Sequence, residues 1–291
     1  MNVFQRRFLI PVIVFLLSSF ICVPGTADVF VNRKKPEDWE ERKLLTVVVA
    51  ETVYNDAFII RQGEHTMLVD GGAANCRKRL LKYLQKQDLT EPEICFNTHP
   101  HDDHLEAVWK MIRDGQFHPA RFISMFPKEY RNALQQNTVK ALEQSGIPYE
   151  QIQNEDEFDL GEAHFTVFQY VKGDEPNELS GVLLLRIREA TLLLTGDLPG
   201  EGQKWFAKTY GNKLHADILK VPHHGITAMY SDFLLAVEPS FAFVTNRSLG
   251  TVKLNKQLKK YKVPYMHHSI GSIVLETDGK DWYVEQIEGL I

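Results

Sequence analysis

Short apolar stretches alternate along this chain with amphipathic stretches of helical period. Runs of β-branched or apolar residues, bounded by glycine or polar turns, predict β-strands. These runs lie at residues 45–50, 57–61, 66–70, 94–97, 121–125, 164–171, 181–188, 191–194, 216–221, 241–245, 272–276 and 282–286. Apolar residues at helical spacing predict helices at about residues 80–84, 105–113, 128–144 and 202–210.

This order of strands and helices predicts an α/β fold with two sheets packed back to back and helices outside. No low-complexity run, internal repeat or linker-like stretch interrupts the pattern. We therefore interpret residues 28–291 as one large domain.

The first 27 residues are interpreted as a secretory signal peptide rather than as part of the fold. Arg6 and Arg7 precede an apolar stretch at residues 8–23, and a small-residue cleavage site ends at Ala27. The apolar stretch is short for a bilayer span and contains Pro11. We expect cleavage after Ala27, a secreted or periplasmic location and no membrane span thereafter, with an uncleaved anchor as the alternative.

Net charge bears on nucleic-acid binding, and the cysteines bear on disulfide bonding. The chain has 33 Lys and Arg against 38 Asp and Glu, a formal net charge of −5, and removal of residues 1–27 takes away two arginines to leave −7. A net negative chain attracts nucleic acid weakly, so we expect no stable nucleic-acid complex, although a local basic groove stays compatible with this charge. Cys76 and Cys95 are expected to be separate thiols, although an oxidising compartment would permit a bridge.

The strongest chemical signal lies at residues 98–104, read Thr-His-Pro-His-Asp-Asp-His, directly after an apolar strand. Imidazole nitrogens and carboxylate oxygens are the ligands that zinc and similar cations accept. A tight turn leaving a strand can direct alternate side chains towards two neighbouring ions. This segment therefore predicts a metal site.

Further ligand-type residues follow other predicted strands. Asp70 precedes two glycines, Asp197 follows Gly196, and His223 and His224 end the 216–221 strand run. An acid beside glycine is by itself ordinary turn chemistry. Their joint occurrence after strands instead indicates loops that converge on one rim.

These segments together resemble the metallo-β-lactamase fold, and within it the hydrolase-like domain of ComEC-type DNA-internalisation competence proteins and their free-standing secreted relatives. The resemblance covers roughly residues 45–286 and implies a single-domain αββα sandwich. Its motifs lie at residues 55–60, 69–72, 98–104, 177–180, 194–197 and 216–225.

The resemblance implies a site for two divalent metal ions, with zinc as the expected metal and manganese as the alternative. It implies that His99 and His101 bind one ion, that Asp103 and His104 bind the other, and that Asp197 bridges both. One of the paired histidines is expected to complete the second site. His223 is favoured because it leaves the strand first, and His224 would then contact substrate or donate a proton. Asp70 is expected to accept a hydrogen bond from a ligand imidazole.

The chain also departs from the family pattern. Many members carry a histidine ahead of the strand now at residues 181–188, and here that region offers Asn177 and Ser180, as in the ComEC-like branch. One ion would then be held by weaker ligands, leaving more open coordination for substrate oxygen. His268, near the C-terminus, is a candidate substrate contact at the rim.

The expected chemistry is hydrolysis by a hydroxide shared between two cations. Asp103, Asp197 and His224 are the expected catalytic residues. A phosphodiester is the favoured substrate, and a small molecule with a lactone or β-lactam bond is the alternative. A third hypothesis, from another class, is an exported metal-binding protein without catalysis.

Overall fold

The computed structural model describes residues 27–52, 54–246 and 251–291. The expected signal peptide lies outside the described residues except for Ala27. Ala27 is buried, and its backbone N–H donates to Asp217 Oδ1 at 3.2 Å, a contact that cleavage after Ala27 would remove. Within the described ranges, no helix combines the length and the apolar character needed to cross a bilayer.

The described residues form sixteen strands and six α-helices. The strands are β1 (Asp28–Val31), β2 (Leu45–Val49), β3 (Phe58–Gln62), β4 (His65–Val69), β5 (Ile94–Asn97), β6 (Arg121–Ser124), β7 (Tyr149–Gln151), β8 (Glu157–Leu160), β9 (Ala163–Phe168), β10 (Val182–Ile187), β11 (Ala190–Leu194), β12 (Ile218–Lys220), β13 (Phe241–Val244), β14 (Tyr265–His267), β15 (Ser272–Thr277) and β16 (Asp281–Ile287). The helices are α1 (Arg77–Lys86), α2 (Asp102–Arg113), α3 (Ala133–Gln144), α4 (Gly200–Tyr210), α5 (Ser231–Val237) and α6 (Val252–Lys260).

The strands form two sheets. The larger has the order β1-β16-β15-β2-β3-β4-β5-β6-β7, and the smaller has the order β14-β13-β12-β11-β10-β9-β8. Strands β4 to β7 are parallel to one another, and so are β11 to β14, whereas β4 is antiparallel to β3 and β11 is antiparallel to β10. Since parallel strands end at the same edge, the loops that leave them at their carboxyl ends lie together.

Three apolar clusters hold the layers together. One lies between the sheets, where the Phe58 and Phe243 ring centroids are 5.9 Å apart. A second joins the smaller sheet to α4, α5 and α6, and a third joins the larger sheet to α1, α2 and α3. Each large apolar side chain buried in this way contributes about 1.5–3 kcal/mol, so the two-sheet core is the main source of stability. The expected αββα sandwich is confirmed.

Some local expectations require correction. The third predicted helix begins at Ala133 rather than at residue 128, because Asn132 caps it by accepting a hydrogen bond from the Gln135 N–H at 3.0 Å. Strands β1, β7, β8 and β14 and helices α5 and α6 were not predicted. Cys76 and Cys95 are separate thiols, as expected. Both are buried, and burial raises the pKa of the Cys76 thiol to about 12.

Candidate metal centre

The His-rich segment turns from strand β5 directly into helix α2. His99 and His101 lie in the turn, and Asp103 and His104 lie in the first turn of α2. The unpaired N–H groups at a helix start favour nearby carboxylates, which suits Asp103. His104 faces inward and is fully buried.

Asp197 follows β11 through a turn that only glycine fits. Gly196 has φ +48°, and a Cβ built there would lie 2.9 Å from Ser180 Cβ. The Ser180 hydroxyl oxygen accepts a hydrogen bond from the Asp197 N–H at 3.2 Å. Ser180 therefore fixes the turn that presents the Asp197 carboxylate.

His223 and His224 follow β12 and have φ +50° and +49°. Two successive non-glycine residues in the left-handed region are uncommon and carry strain, which is typical of functional sites. His224 is fully buried, whereas the His223 side chain is 28% exposed.

These loops bring four residues into one cluster, here called the His104 group. The Nε2 atoms of His104 and His224 lie 3.3 Å apart. Asp197 Oδ1 lies 3.3 Å from His104 Nε2, and Asp197 Oδ2 lies 3.3 Å from His224 Nε2. Asp103 Oδ2 lies 3.1 Å from His224 Nε2.

A second cluster, here called the His99 group, also approaches Asp197. His99 Nε2 is 3.1 Å from His101 Nδ1 and 3.8 Å from Asp197 Oδ2. His223 Nε2 is also 3.8 Å from Asp197 Oδ2, and it lies 3.4 Å from Asn177 Nδ2. The group comprises His99, His101, His223 and Asn177.

These separations fit metal ligands. A tetrahedral ion with bonds of about 2.0–2.1 Å places its ligand atoms about 3.3 Å apart. Four atom pairs of the His104 group are 3.1–3.3 Å apart, with Asp103 Oδ1 at 3.9 Å from His104 Nε2, and the facing ring nitrogens of His99 and His101 are 3.1 Å apart. Asp197 Oδ1 is buried without a hydrogen-bond donor. The donor set of imidazoles and carboxylates therefore fits two divalent cations that share Asp197.

Asp70 contacts the imidazole of His104. Its Oδ2 lies 2.7 Å from His104 Nδ1, so the opposite ring nitrogen faces His224. Its carboxylate also accepts hydrogen bonds from the Thr98 hydroxyl at 2.6 Å, the Thr98 N–H at 2.9 Å and the Asn97 amide at 2.9 Å. The segment before His99 is tied to the same acid.

A buried ion pair behind the His104 group was not predicted from the sequence. Lys220 Nζ lies 2.6 Å from Asp56 Oδ2, donates to the Gly196 carbonyl at 2.6 Å and lies 3.6 Å from Asp197 Oδ1. Asp56 Oδ1 lies 3.3 Å from His224 Nδ1. A carboxylate oxygen of Asp56 lies within 4.8 Å of ligand-type atoms of His104, Asp197 and His224, so distance alone would admit Asp56 as a ligand. It approaches the Nδ1 side of the ring and is already paired with an ammonium, so it orients His224.

The electrostatics of the site favour added positive charge. Burial alone would lower the pKa of the His104 imidazole, but the carboxylates of Asp197 and Asp70 raise it to about 10. Burial would raise the pKa of the Asp197 carboxyl, but His104 and His224 hold it well below its usual range. At His99, burial and then the charge of His104 lower the pKa. The Asp197 carboxylate is therefore ionised although it is buried away from water, and a buried anion of this kind favours cation binding.

Two expected positions differ in the structure. His224, rather than His223, lies in the His104 group, because the left-handed turn directs the first ring towards Asn177 and the second inward. His268 does not reach the rim, because it is fully buried and its Nδ1 lies 3.0 Å from the Ala50 carbonyl oxygen. Burial lowers the pKa of His268 to about 3, so its ring is neutral at physiological pH.

A sequence model of the metallo-beta-lactamase superfamily matches residues 51–242, most of the chain. The chain therefore belongs to this superfamily. A comparison with the curated proteins finds no match to the chain.

Solved structures share the fold at low sequence identity. The metallo-beta-lactamase fold protein YhfI from Bacillus subtilis has a TM-score of 0.51 and 12% identity, over 76% of this chain and 95% of that one. CmlA, a diiron beta-hydroxylase from Streptomyces venezuelae, has a TM-score of 0.53 and 16% identity, over 84% of this chain. The E377D mutant of CmlA beta-hydroxylase has a TM-score of 0.55 and 16% identity, also over 84% of this chain. The chain spans only about half of CmlA, since 55% of that protein is covered. These likenesses support the fold alone.

Proposed function

We propose that this chain is an exported metal-dependent hydrolase that uses two divalent cations to cleave phosphodiesters. The observation that supports it is the pair of ligand groups that meet at Asp197 with metal-like spacing. The superfamily match supports the same chemistry.

In this proposal each ligand has a defined place. His99 and His101 would hold the first cation, with His223 and Asn177 beside them. Asp103, His104 and His224 would hold the second, and Asp197 would be shared by both. The Asn177 oxygen is buried and has no hydrogen-bond donor, which suits a weak ligand.

Two bound cations would lower the pKa of a shared water and polarise a phosphoryl oxygen. Asp70 and Asp56 hold the His104 and His224 rings so that each Nε2 faces the centre. His223 is partly exposed, and burial lowers the pKa of its imidazole, so its neutral ring is able to accept a proton or contact substrate. Zinc is the expected cation, and manganese is the alternative.

A phosphodiester is the proposed substrate because Asn177 of the His99 group and the nearby Ser180 lie in the region where β-lactamase-like members carry a third histidine. An amide ligand leaves more positive charge on the cation than an imidazole does, which favours anionic oxygens. The proposed kinship with the ComEC-type branch depends on this same replacement.

The test is elemental analysis together with turnover of bis-p-nitrophenyl phosphate and single-stranded DNA by the purified protein. We expect about two metal ions per chain and metal-dependent release from both substrates. Asp197→Ala should lose metal and turnover together. Asp102→Asn is the matched control, because Asp102 is an exposed carboxylate in the same turn of α2 and should keep both.

Other outcomes would favour the other hypotheses. Turnover of nitrocefin or a lactone, without phosphodiester cleavage, would support the C–N or C–O hydrolase. Fewer than one metal ion per chain and no turnover would support a non-catalytic metal-binding protein. Bound iron would direct attention to oxidative chemistry, since CmlA is a diiron enzyme.

Export and domain extent belong to the proposal as well. Residues 1–27 would be removed on secretion, and residues 28–291 would form the hydrolase domain. N-terminal sequencing of the protein from the periplasm or the medium should begin at Asp28. An intact N-terminus in the membrane fraction would favour the uncleaved anchor.

A further inference from the structure

Helix α6 concentrates positive charge in a chain that is acidic overall. Between Glu238 and Glu276 the sequence contains no acidic residue, against a formal net charge of −5 for the whole chain. The basic residues of this stretch are Arg247, Lys253, Lys256, Lys259, Lys260 and Lys262. The five lysines are exposed, and within the described part of the chain none of them forms an ion pair with a carboxylate.

This basic helix begins beside the candidate metal centre. Strand β13 leads to Thr245, whose Oγ1 lies 3.1 Å from His224 Nδ1. A Cβ built on Gly225 would lie 2.5 Å from Leu254 Cδ2, so the start of α6 packs directly on the backbone that follows His224. Nine helical residues then extend over about 13 Å. The exposed lysines therefore lie on a helix whose first turn packs beside the residue that follows His224.

An exposed aromatic ring also lies against His224. Tyr54 is 38% exposed, and its ring centroid lies 4.6 Å from that of His224 at an interplanar angle of 35°. One face of Tyr54 thus covers a ligand imidazole. An aromatic ring beside a row of cations is the combination on which single-stranded nucleic acids bind, because bases stack while phosphates follow the charges.

We propose that Tyr54 and the α6 lysines form a docking surface for single-stranded nucleic acid, with a base on Tyr54 and phosphates along Lys253, Lys256 and Lys260. This inference rests on the proposed phosphodiesterase function and names its substrate class. A base must be unpaired to stack on a ring at the rim, so a single strand fits and a duplex does not. A membrane surface fits poorly because Leu254 and Leu258 of α6 are buried, which leaves Val252 as the single exposed apolar side chain of this helix.

The proposed surface changes the expectation drawn from net charge. A net charge of −5 argues against a stable nucleic-acid complex, but short-range contacts depend on the local charge within about 10 Å. We therefore expect binding that is weak at physiological salt and steeply salt-dependent.

The test measures fluorescence anisotropy of a fluorescein-labelled 12-nucleotide oligothymidine whose phosphorothioate linkages resist cleavage, bound to the metal-loaded protein. The Lys253→Gln/Lys256→Gln/Lys260→Gln variant should bind about 10-fold more weakly at 50 mM salt. Its plot of log affinity against log salt should lose about 2 from its slope, since each phosphate contact on a single strand contributes about 0.7. Tyr54→Leu should weaken binding roughly 10-fold with the slope unchanged.

The matched control is Lys78→Gln/Lys82→Gln/Lys86→Gln, which removes the same charge from exposed positions of α1 on the other sheet. It should bind like the wild type. Equal losses in both triple variants would reduce the effect to net charge and overturn the proposal. An unchanged salt slope in the α6 variant would also overturn the proposal. A third contrary result would be an α6 variant that no longer binds anionic phosphatidylglycerol vesicles but still binds oligothymidine like the wild type.

A parallel activity measurement separates this inference from the proposed function. In the α6 variant the kcat/KM for unmodified oligothymidine should fall relative to that for bis-p-nitrophenyl phosphate. If the wild type cleaves neither substrate, the proposed function fails while the anisotropy result still decides on docking. If it cleaves both and the ratio does not change, docking on α6 is wrong and the phosphodiesterase stands.

Discussion

Replacement of Lys220 by methionine should destabilise the protein severely. Lys220 and Asp56 are both fully buried, with Nζ 2.6 Å from Oδ2. Methionine keeps the length of the side chain but leaves the Asp56 carboxylate without its ammonium. Breaking a buried ion pair by removing one partner costs about 3–5 kcal/mol. That is a large fraction of the roughly 5–15 kcal/mol by which domains are stable.

The structure also predicts which second change restores stability. Burial would raise the pKa of Asp56, but Lys220 and His224 hold it below its usual range, so the acid is ionised in the native state. Asp56→Asn removes the unpaired charge and retains an amide next to His224 Nδ1. The Lys220→Met/Asp56→Asn protein should therefore recover about 2 kcal/mol or more of the loss, because an uncharged pair avoids burying a lone ion.

Urea unfolding of the metal-free proteins, followed by circular dichroism, measures these free energies. Metal is removed so that weaker metal binding does not enter the comparison. If Lys220→Met unfolds during purification, the double variant still tests the reasoning, since it should be folded. A single variant within about 1 kcal/mol of wild type, or a double variant no more stable than the single, would refute the buried-pair account.

Three further predictions follow from other parts of the site. Burial lowers the pKa of His268 to about 3 in the folded protein, against about 6.5 in the unfolded chain. Between these pH values only the unfolded chain binds the extra proton, so the free energy of unfolding falls as the pH falls below 6.5. From pH 7 to pH 5 the metal-free wild type should lose about 2 kcal/mol more than His268→Gln in urea titrations, and equal losses would contradict this. Asp70→Asn should weaken metal binding about 10–100-fold in chelator competition, because His104 loses its orienting acceptor, and unchanged affinity would exclude that role. Gly196→Ala should lower stability by about 1–3 kcal/mol in thermal unfolding, because φ is +48° and the added Cβ would lie 2.9 Å from Ser180 Cβ. Gly200→Ala is the control and should be near neutral, because no atom lies within 4 Å of its added Cβ.

The sandwich and the position of its ligand loops were predictable because they depend on local patterns. Apolar runs such as 94–97 and 191–194 mark strands that are buried on both faces. Each is followed by polar residues that lie at a sheet edge. The short elements were not predictable, since β7 and β14 have three residues each and are formed by pairing with longer neighbours.

The two histidines at 223 and 224 show where sequence spacing is insufficient. Their order along the chain favours the first as the ligand of the second site, but their left-handed backbone conformation decides which ring turns inward. Such a conformation in two non-glycine residues is imposed by the surrounding packing. His268 was predicted to reach the rim because a polar residue beside a loop is expected to be exposed. Packing buries it instead.

Lys220 and Asp56 were missed as functional residues although both lie in motifs that were recognised. A lysine within the apolar strand β12 is itself a signal, since lysine is almost never fully buried without a partner. The partner is 164 positions away in the sequence and is brought near only by the packing of one sheet on the other. A search for buried charge inside strand patterns would have identified one half of this pair.

Anomalous X-ray diffraction at the absorption edge of the bound metal tests whether distant loops hold two cations around Asp197. Crystals of the purified protein should show two anomalous peaks, one bounded by Asp103, His104 and His224 and one by His99 and His101, with Asp197 between them. A single peak away from Asp197, or no peak from protein grown and crystallised with metal supplied, would contradict the account.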